Sequence, residues 1–198
     1  MEAATNGTIE SRFAPDGESS LEGLLFPDTY QISNADNEAQ VVERMSALME
    51  RVANDQEDLE VGAYKMRRSA YDLLIVASMI EKEAKLDEDR PKIASVIYNR
   101  LKKDMRLEMD STVKYVAPES EGVYVTKEEM AIDSPYNTYL VEGLPPGPIA
   151  NPGLASLQAV AQPQPSDFIY FVADCGQPGA HTFAVTYEEH LQNVERCR

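Results

Sequence analysis

The segment "RSAYDLLIVASMIEKEA" at residues 68–84 constrains the fold most. Its apolar residues fall on most sides of a helix, so that helix must sit centrally with other elements packed around it. It ends in two nearby glutamates, Glu81 and Glu83. With a helical step of about 100° and Asp72 at zero, Met79, Val76, Ile80 and Leu73 lie at roughly 340°, 40°, 80° and 100°. Glu83 lies at roughly 20°, inside that apolar face, while Glu81 lies at roughly 180°, toward Ser78 and Lys82. A carboxyl among apolar groups loses hydration, so its charged form is disfavoured and its pKa rises. A general acid needs that near neutrality. Glu81, beside Lys82, is expected to stay solvated. Glutamates at helix ends are commonly just solvated or ion-paired, so the helix by itself leaves the choice of residue, and a catalytic role, open.

The rest of the pattern predicts an α+β chain, mainly helical with a small antiparallel sheet. "NADNEAQVVERMSALMERVAND" is an amphipathic helix with Val41, Met45, Leu48 and Val52 at helical spacing and Asn34 or Asp36 as its cap. "LDEDRPKIASVIYNRLKKD" is another, capped by Asp87, with Ile93, Val96, Ile97 and Leu101 on its apolar face. "LEGLLFPDTYQIS" and "MRLEMDSTVKYV" read as extended segments or a short strand, and residues 117–133 as an acidic surface loop. "SPYNTYLVEGLPPGPIANPG" is a long stretch dense in Pro, Gly, Asn and Tyr, a kind of loop that is often functional. "GLASLQAVAQP" is a short helix. "DFIYFVAD" and "HTFAVT" form a hairpin around "CGQPGA", and "YEEHLQNVERC" is a closing helix. Residues 1–20 read as a flexible segment and 21–198 as one domain.

Charge narrows the partners. With 34 acidic against 18 basic residues the formal net charge is -16. Such a surface repels phosphate backbones and anionic lipid, so no nucleic-acid partner is expected. No apolar run is long enough to span a membrane, and the first residues have no signal-peptide pattern. The two cysteines, Cys175 and Cys197, would be reduced in a cytosolic protein, or in an exported one could pair and staple the last helix to a loop. Together with His181 and His190 they lack metal-ligand spacing, so no metal or cofactor is expected.

"LEGLLFPDTY", "ASMIEKEA", "IASVIYNRL", "MRLEMDSTVKY", "YNTYLVEGLPPGPIANPG", "YFVAD" and "HTF" follow one another in this order. Together they resemble the YceG-like family of endolytic murein transglycosylases, over about residues 20–198. The resemblance implies a lysozyme-like catalytic helix ending in the acid Glu. It implies cleavage of the MurNAc-β-1,4-GlcNAc bond of nascent peptidoglycan with formation of 1,6-anhydroMurNAc ends, without cofactor. It also implies peptidoglycan synthases as partners and a location at the extracytoplasmic face of the plasma membrane, with an anchoring helix outside this chain. An exported location would favour pairing of the cysteines.

A lytic transglycosylase needs one carboxyl that first donates and then accepts a proton. The family's acid maps to Glu83, with Glu81 as second choice. Related enzymes place a hydroxyl residue directly after the acid, where this chain has Ala84. Tyr136, Asn137, Thr138 and Tyr139 suit sugar rings and their hydroxyl or acetamido groups. Asp110, Ser111 and Thr112 are further cleft candidates, as are Asn99 and Glu22. A non-catalytic peptidoglycan-binding or scaffolding module would keep the tyrosine loop and need neither glutamate. A hydrolase using water would need a second carboxylate.

Overall fold

The computed structural model describes residues 4–5, 7, 9–56, 59–117 and 125–197. Parts of the segment expected to be flexible and of the acidic 117–133 loop lie outside them. The central helix is α3, Ala70–Glu83, and Leu73 through Ile80 are all buried in it. Ser69 starts it with a reciprocal cap: its hydroxyl accepts the Asp72 N–H, and the Asp72 carboxylate accepts the Ser69 N–H. Ala84 leaves the helix in an extended conformation, φ -83 and ψ 126.

Around α3 pack α2 (Leu59–Met66), α4 (Arg90–Lys102), α5 (Asp110–Val116) and α7 (Leu154–Ala161). Helix α1, Glu38–Arg51, is capped by Asn37 with Gln40, not by Asn34 or Asp36. Its buried side chains are Val42, Ser46 and Met49, one position on from the expected face, and a π-helical turn over Val52–Gln56 continues it. Asp87 does not cap α4. It opens a 3-10 turn, Asp87–Asp89, and its carboxylate accepts from the Arg90 guanidinium. Pro91 sits in the first turn of α4, where its missing N–H has no consequence.

The stretch read as a short strand or extended edge, 105–116, contains α5 instead. Its apolar alternation stops at Met109, and the Thr112 hydroxyl donates to the Met109 carbonyl and closes the first turn. Among its described residues the expected 117–133 loop holds a short helix, α6 (Lys127–Met130), started by a Thr126–Glu129 capping box. The predicted hairpin is present: β1 (Tyr170–Ala173) pairs antiparallel with β2 (His181–Ala184), with Phe171 opposite Phe183. Helix α8, Tyr187–Glu195, follows it, and a Cys175–Cys197 disulfide ties its end to the hairpin turn. The N-terminal stretch expected to be loose is held at Phe13, which is buried in the main core.

Candidate functional site

Glu83 is the last residue of α3, and the site forms where that end meets the start of α5. Its Oε1 accepts the Ser111 backbone N–H at 3.1 Å. Burial pushes the Glu83 carboxyl above its ordinary range. The Ser111 contacts and the nearby His181 pull it back, and the negative charge of Asp110 raises it further. Ser111 Oγ is buried and meets no partner in hydrogen-bonding geometry. It is nevertheless near enough to Glu83 to favour the carboxylate.

Asp110 and Tyr139 complete the polar part of the site. The Tyr139 hydroxyl donates to Asp110 Oδ1 at 2.6 Å. Burial, then that bond and the charges of Asp110, Glu108 and Glu83, hold the Tyr139 phenol far up its range and protonated. Near Glu83, His181 is positioned by Asp89, which is almost fully buried. Asp89 Oδ2 accepts the His181 N–H at 2.7 Å and lies 3.2 Å from the ring Nδ1.

One helical turn beyond Ser111, Tyr115 stacks at a tilt on Tyr136 with centroids 4.9 Å apart. Glu22 stands beside this pair: burial first, and the Glu22 charge among the smaller causes, raises both phenols. The hydroxyls of Tyr136 and Tyr71 converge on Gly147, 3.0 and 3.2 Å from where a Cβ would stand, so a larger residue there would push them back by a few tenths of an ångström. Tyr115 escaped the sequence reading because its segment was read as extended. As a helix, the i, i+4 spacing puts it on the face of Ser111.

The other expected cleft residues lie elsewhere. Asn137 and Thr138 are fully buried. The Asn137 amide donates to the Met130 and Ile132 carbonyls. Thr138 Oγ1 accepts the Met109 N–H and shares a hydrogen bond with Thr112 Oγ1. These three side chains shape the loop from inside and have no bonding capacity turned toward a ligand. Asn99 is on another face, where its amide donates to the Ser166 and Phe168 carbonyls and ties α4 to the strand entrance.

Glu81 is not the solvated neighbour that its helical angle suggests. Its Oε2 accepts from the Ser156 hydroxyl at 2.6 Å and from the Gly153 N–H at 3.2 Å, and it is 3.4 Å from the Arg90 guanidinium. Gly153 is the N-cap of α7, so Glu81 caps that helix from outside. Ser78, on the side expected to be polar, is fully buried and accepts the Ile149 N–H at 3.0 Å. The two contacts pin the proline-rich loop along α3. Among the described residues no group of His, Cys, Asp and Glu could hold a metal ion, and no helix is long and apolar enough to cross a membrane.

Fold and geometry together define a helical α+β domain with a half-buried glutamate, Glu83, at the end of its central helix. Residues 2–196 match the YceG-like family, and the chain belongs to it. It is 41% identical over 176 residues to a protein of Bacillus subtilis named endolytic murein transglycosylase, covering 89% of this chain and 48% of that one. A Streptococcus pneumoniae protein of the same name is 36% identical over 179 residues, 88% of this chain and 32% of that one. The chain thus spans about half or less of the curated relatives it matches. A crystal structure of a YceG-like protein from Listeria monocytogenes superposes with a TM-score of 0.79 at 38% identity, over 96% of this chain and 61% of that one.

Proposed function

We propose that this domain is the catalytic part of an endolytic peptidoglycan transglycosylase with Glu83 as its single acid/base. The observation that carries the reading is the pairing of a half-buried Glu83, its pKa raised by desolvation, with the N–H of Ser111 on the helix that also carries Tyr115 of the Tyr115–Tyr136 pair. The relatives that carry the activity in their names support it. Protonated Glu83 gives its proton to the glycosidic oxygen between MurNAc and GlcNAc as that bond breaks. The carboxylate left behind accepts the proton of the muramyl 6-hydroxyl as this oxygen attacks C1. The product is a 1,6-anhydroMurNAc end, and no water is consumed.

Other groups steady the acid. Once Glu83 is charged, the Ser111 N–H stabilises it. The Ser111 hydroxyl, free of other partners, supplies from α5 what Ala84 lacks in the position after the acid. Tyr115, Tyr136 and Tyr139 offer ring faces to pyranose C–H surfaces. Anchoring at the extracytoplasmic membrane face and work beside peptidoglycan synthases belong to the same proposal.

Asp110 gives a hydrolytic reading one specific support, because it is a second carboxylate close enough to raise the Glu83 pKa. Mass spectrometry of products from uncrosslinked glycan strands decides between them. Anhydro ends, lost in Glu83→Gln and kept in Glu81→Gln, are expected. Reducing ends would establish the hydrolase, and glycan binding without any product would establish a scaffold.

A further inference from the structure

On the face away from Glu83, a groove of about 770 Å³ runs between the α2–α3 turn, the outer side of α4 and the segment after α7. Lys65, Arg67, Arg68 and Lys102 line it, and no acidic side chain does. This concentration is unusual in a chain with a net charge of -16 and 18 basic residues in all. Elsewhere several cations are matched: Arg44, Arg90, Lys92 and Arg100 each have a carboxylate within 4 Å. None of the four groove cations has a side-chain hydrogen bond or ion pair among the described residues. Asp72, near Tyr98, already spends its carboxylate on the cap of α3.

Backbone geometry at Arg67 is a second, independent observation. Helix α2 ends in a Schellman turn, with the Arg68 N–H on the Ala63 carbonyl at 3.0 Å and the Arg67 N–H on the Tyr64 carbonyl at 3.1 Å. Arg67 fills the left-handed position of that turn, with φ 54, where glycine is favoured. Glycine would relax the backbone there, whereas arginine places its side chain on the groove.

We infer that this groove binds a ligand carrying adjacent phosphate groups on an extended body. Several cations converging on one groove match a compact, multiply charged anion, and paired guanidinium forks match phosphate oxygens. Tyr98, Met66, Pro163 and Pro165 give the groove apolar walls for the body of such a ligand. Its concave form favours a narrow anionic chain over a flat bilayer. The strongly acidic surface elsewhere would repel anything broad. The site does not include Glu83, so it stands or falls independently of the proposed activity.

The test is calorimetric titration of the intact domain with inorganic tripolyphosphate, with citrate in parallel, and sedimentation with phosphatidylglycerol vesicles. Tripolyphosphate is expected to bind one to one and to weaken with added salt, while citrate binds less well. Arg67→Gly is expected to lower the affinity about tenfold while the melting temperature stays level or rises, because glycine relieves the left-handed position. Lys102→Gln, on a different element, is expected to lower it as well. Glu83→Gln leaves it unchanged. Vesicle binding that both groove variants abolish, alongside tripolyphosphate binding, would identify a lipid headgroup as the phosphate source. The inference is overturned if tripolyphosphate fails to bind, if citrate binds equally well, if neither groove variant weakens binding, or if only vesicles bind.

Discussion

Glu83 is where local chemistry is most exposed to experiment. Its folded-state pKa lies above the ordinary 4.5 because burial disfavours the charge. The protonated form is therefore the one that folding accommodates. Its stability contribution is intact below about pH 4.5 and is lost as pH rises through the raised value. Glu83→Gln, always neutral, is expected to match the parent's melting temperature in acid and to exceed it at about pH 8. Equal melting temperatures across that range would show that the carboxyl is solvated. In the proposed mechanism the same proton is the one transferred, so activity is expected to fall on the alkaline side as Glu83 ionises. Ser111→Ala keeps the N–H but removes the hydroxyl. It is expected to lower kcat on the order of tenfold and to move the alkaline limb upward, because a contact that favours the carboxylate is gone. A fall in kcat with an unmoved pH profile would assign Ser111 a merely structural role.

At the scale of elements, two side chains join segments that the sequence does not show to be neighbours. Glu81 joins the end of α3 to the start of α7 and to Arg90 on α4. Glu81→Ala leaves the fully buried Ser156 hydroxyl without its acceptor and removes one of the carboxylates beside the mostly buried Arg90. It is expected to cost about 1–3 kcal/mol in denaturant titration. Activity per folded molecule should persist, in contrast to Glu83→Gln. Arg100 has a comparable role on α4: it is 8% exposed and donates to the carbonyls of Ile169, Arg106 and Leu107. Arg100→Met is expected to destabilise by about 3 kcal/mol, because carbonyls from two segments lose their donor. A change below about 1 kcal/mol would mean that water replaces the guanidinium there.

At the scale of the whole molecule, the hairpin and α8 lie outside the helical core, and a disulfide secures them. Cys175 and Cys197 are 22 positions apart in sequence. By loop-closure entropy, Cys197→Ser is expected to lower stability by about 3 kcal/mol. Comparing intact masses of alkylated protein before and after reduction would confirm the bond, and two freely alkylated thiols without reductant would refute it. Loosening this corner also bears on the site, since His181 at the start of β2 is the residue Asp89 holds near Glu83.

Much of this arrangement is legible along the chain because it is periodic or punctuated. The all-round apolar run of α3, the period-two strands and the helix before them follow from residue spacing. The placement of Glu83 on the apolar face follows from the helical step alone. Caps were misassigned by one to three positions, since Asn, Asp and Ser crowd those boundaries and only the backbone decides which one turns. Helix α5 was hidden because "MRLEM" alternates, while the turn after it is closed by a Thr112 hydroxyl that the pattern does not reveal.

What the sequence determined by itself was the central helix, the acid at its end and the order of motifs that marks the family. What only tertiary structure decided was which polar side chains face outward. Asn137, Thr138 and Glu81 look like cleft or solvent residues in the chain, yet all three are bound to other parts of the protein. Tyr115 and Arg67 carry no such mark in the chain, yet the fold sets the first against Tyr136 and the second on a groove. A side chain's type fixes what it can bond. Which partner it bonds depends on which distant backbone groups the fold leaves unsatisfied beside it, and those come together only when the helices pack.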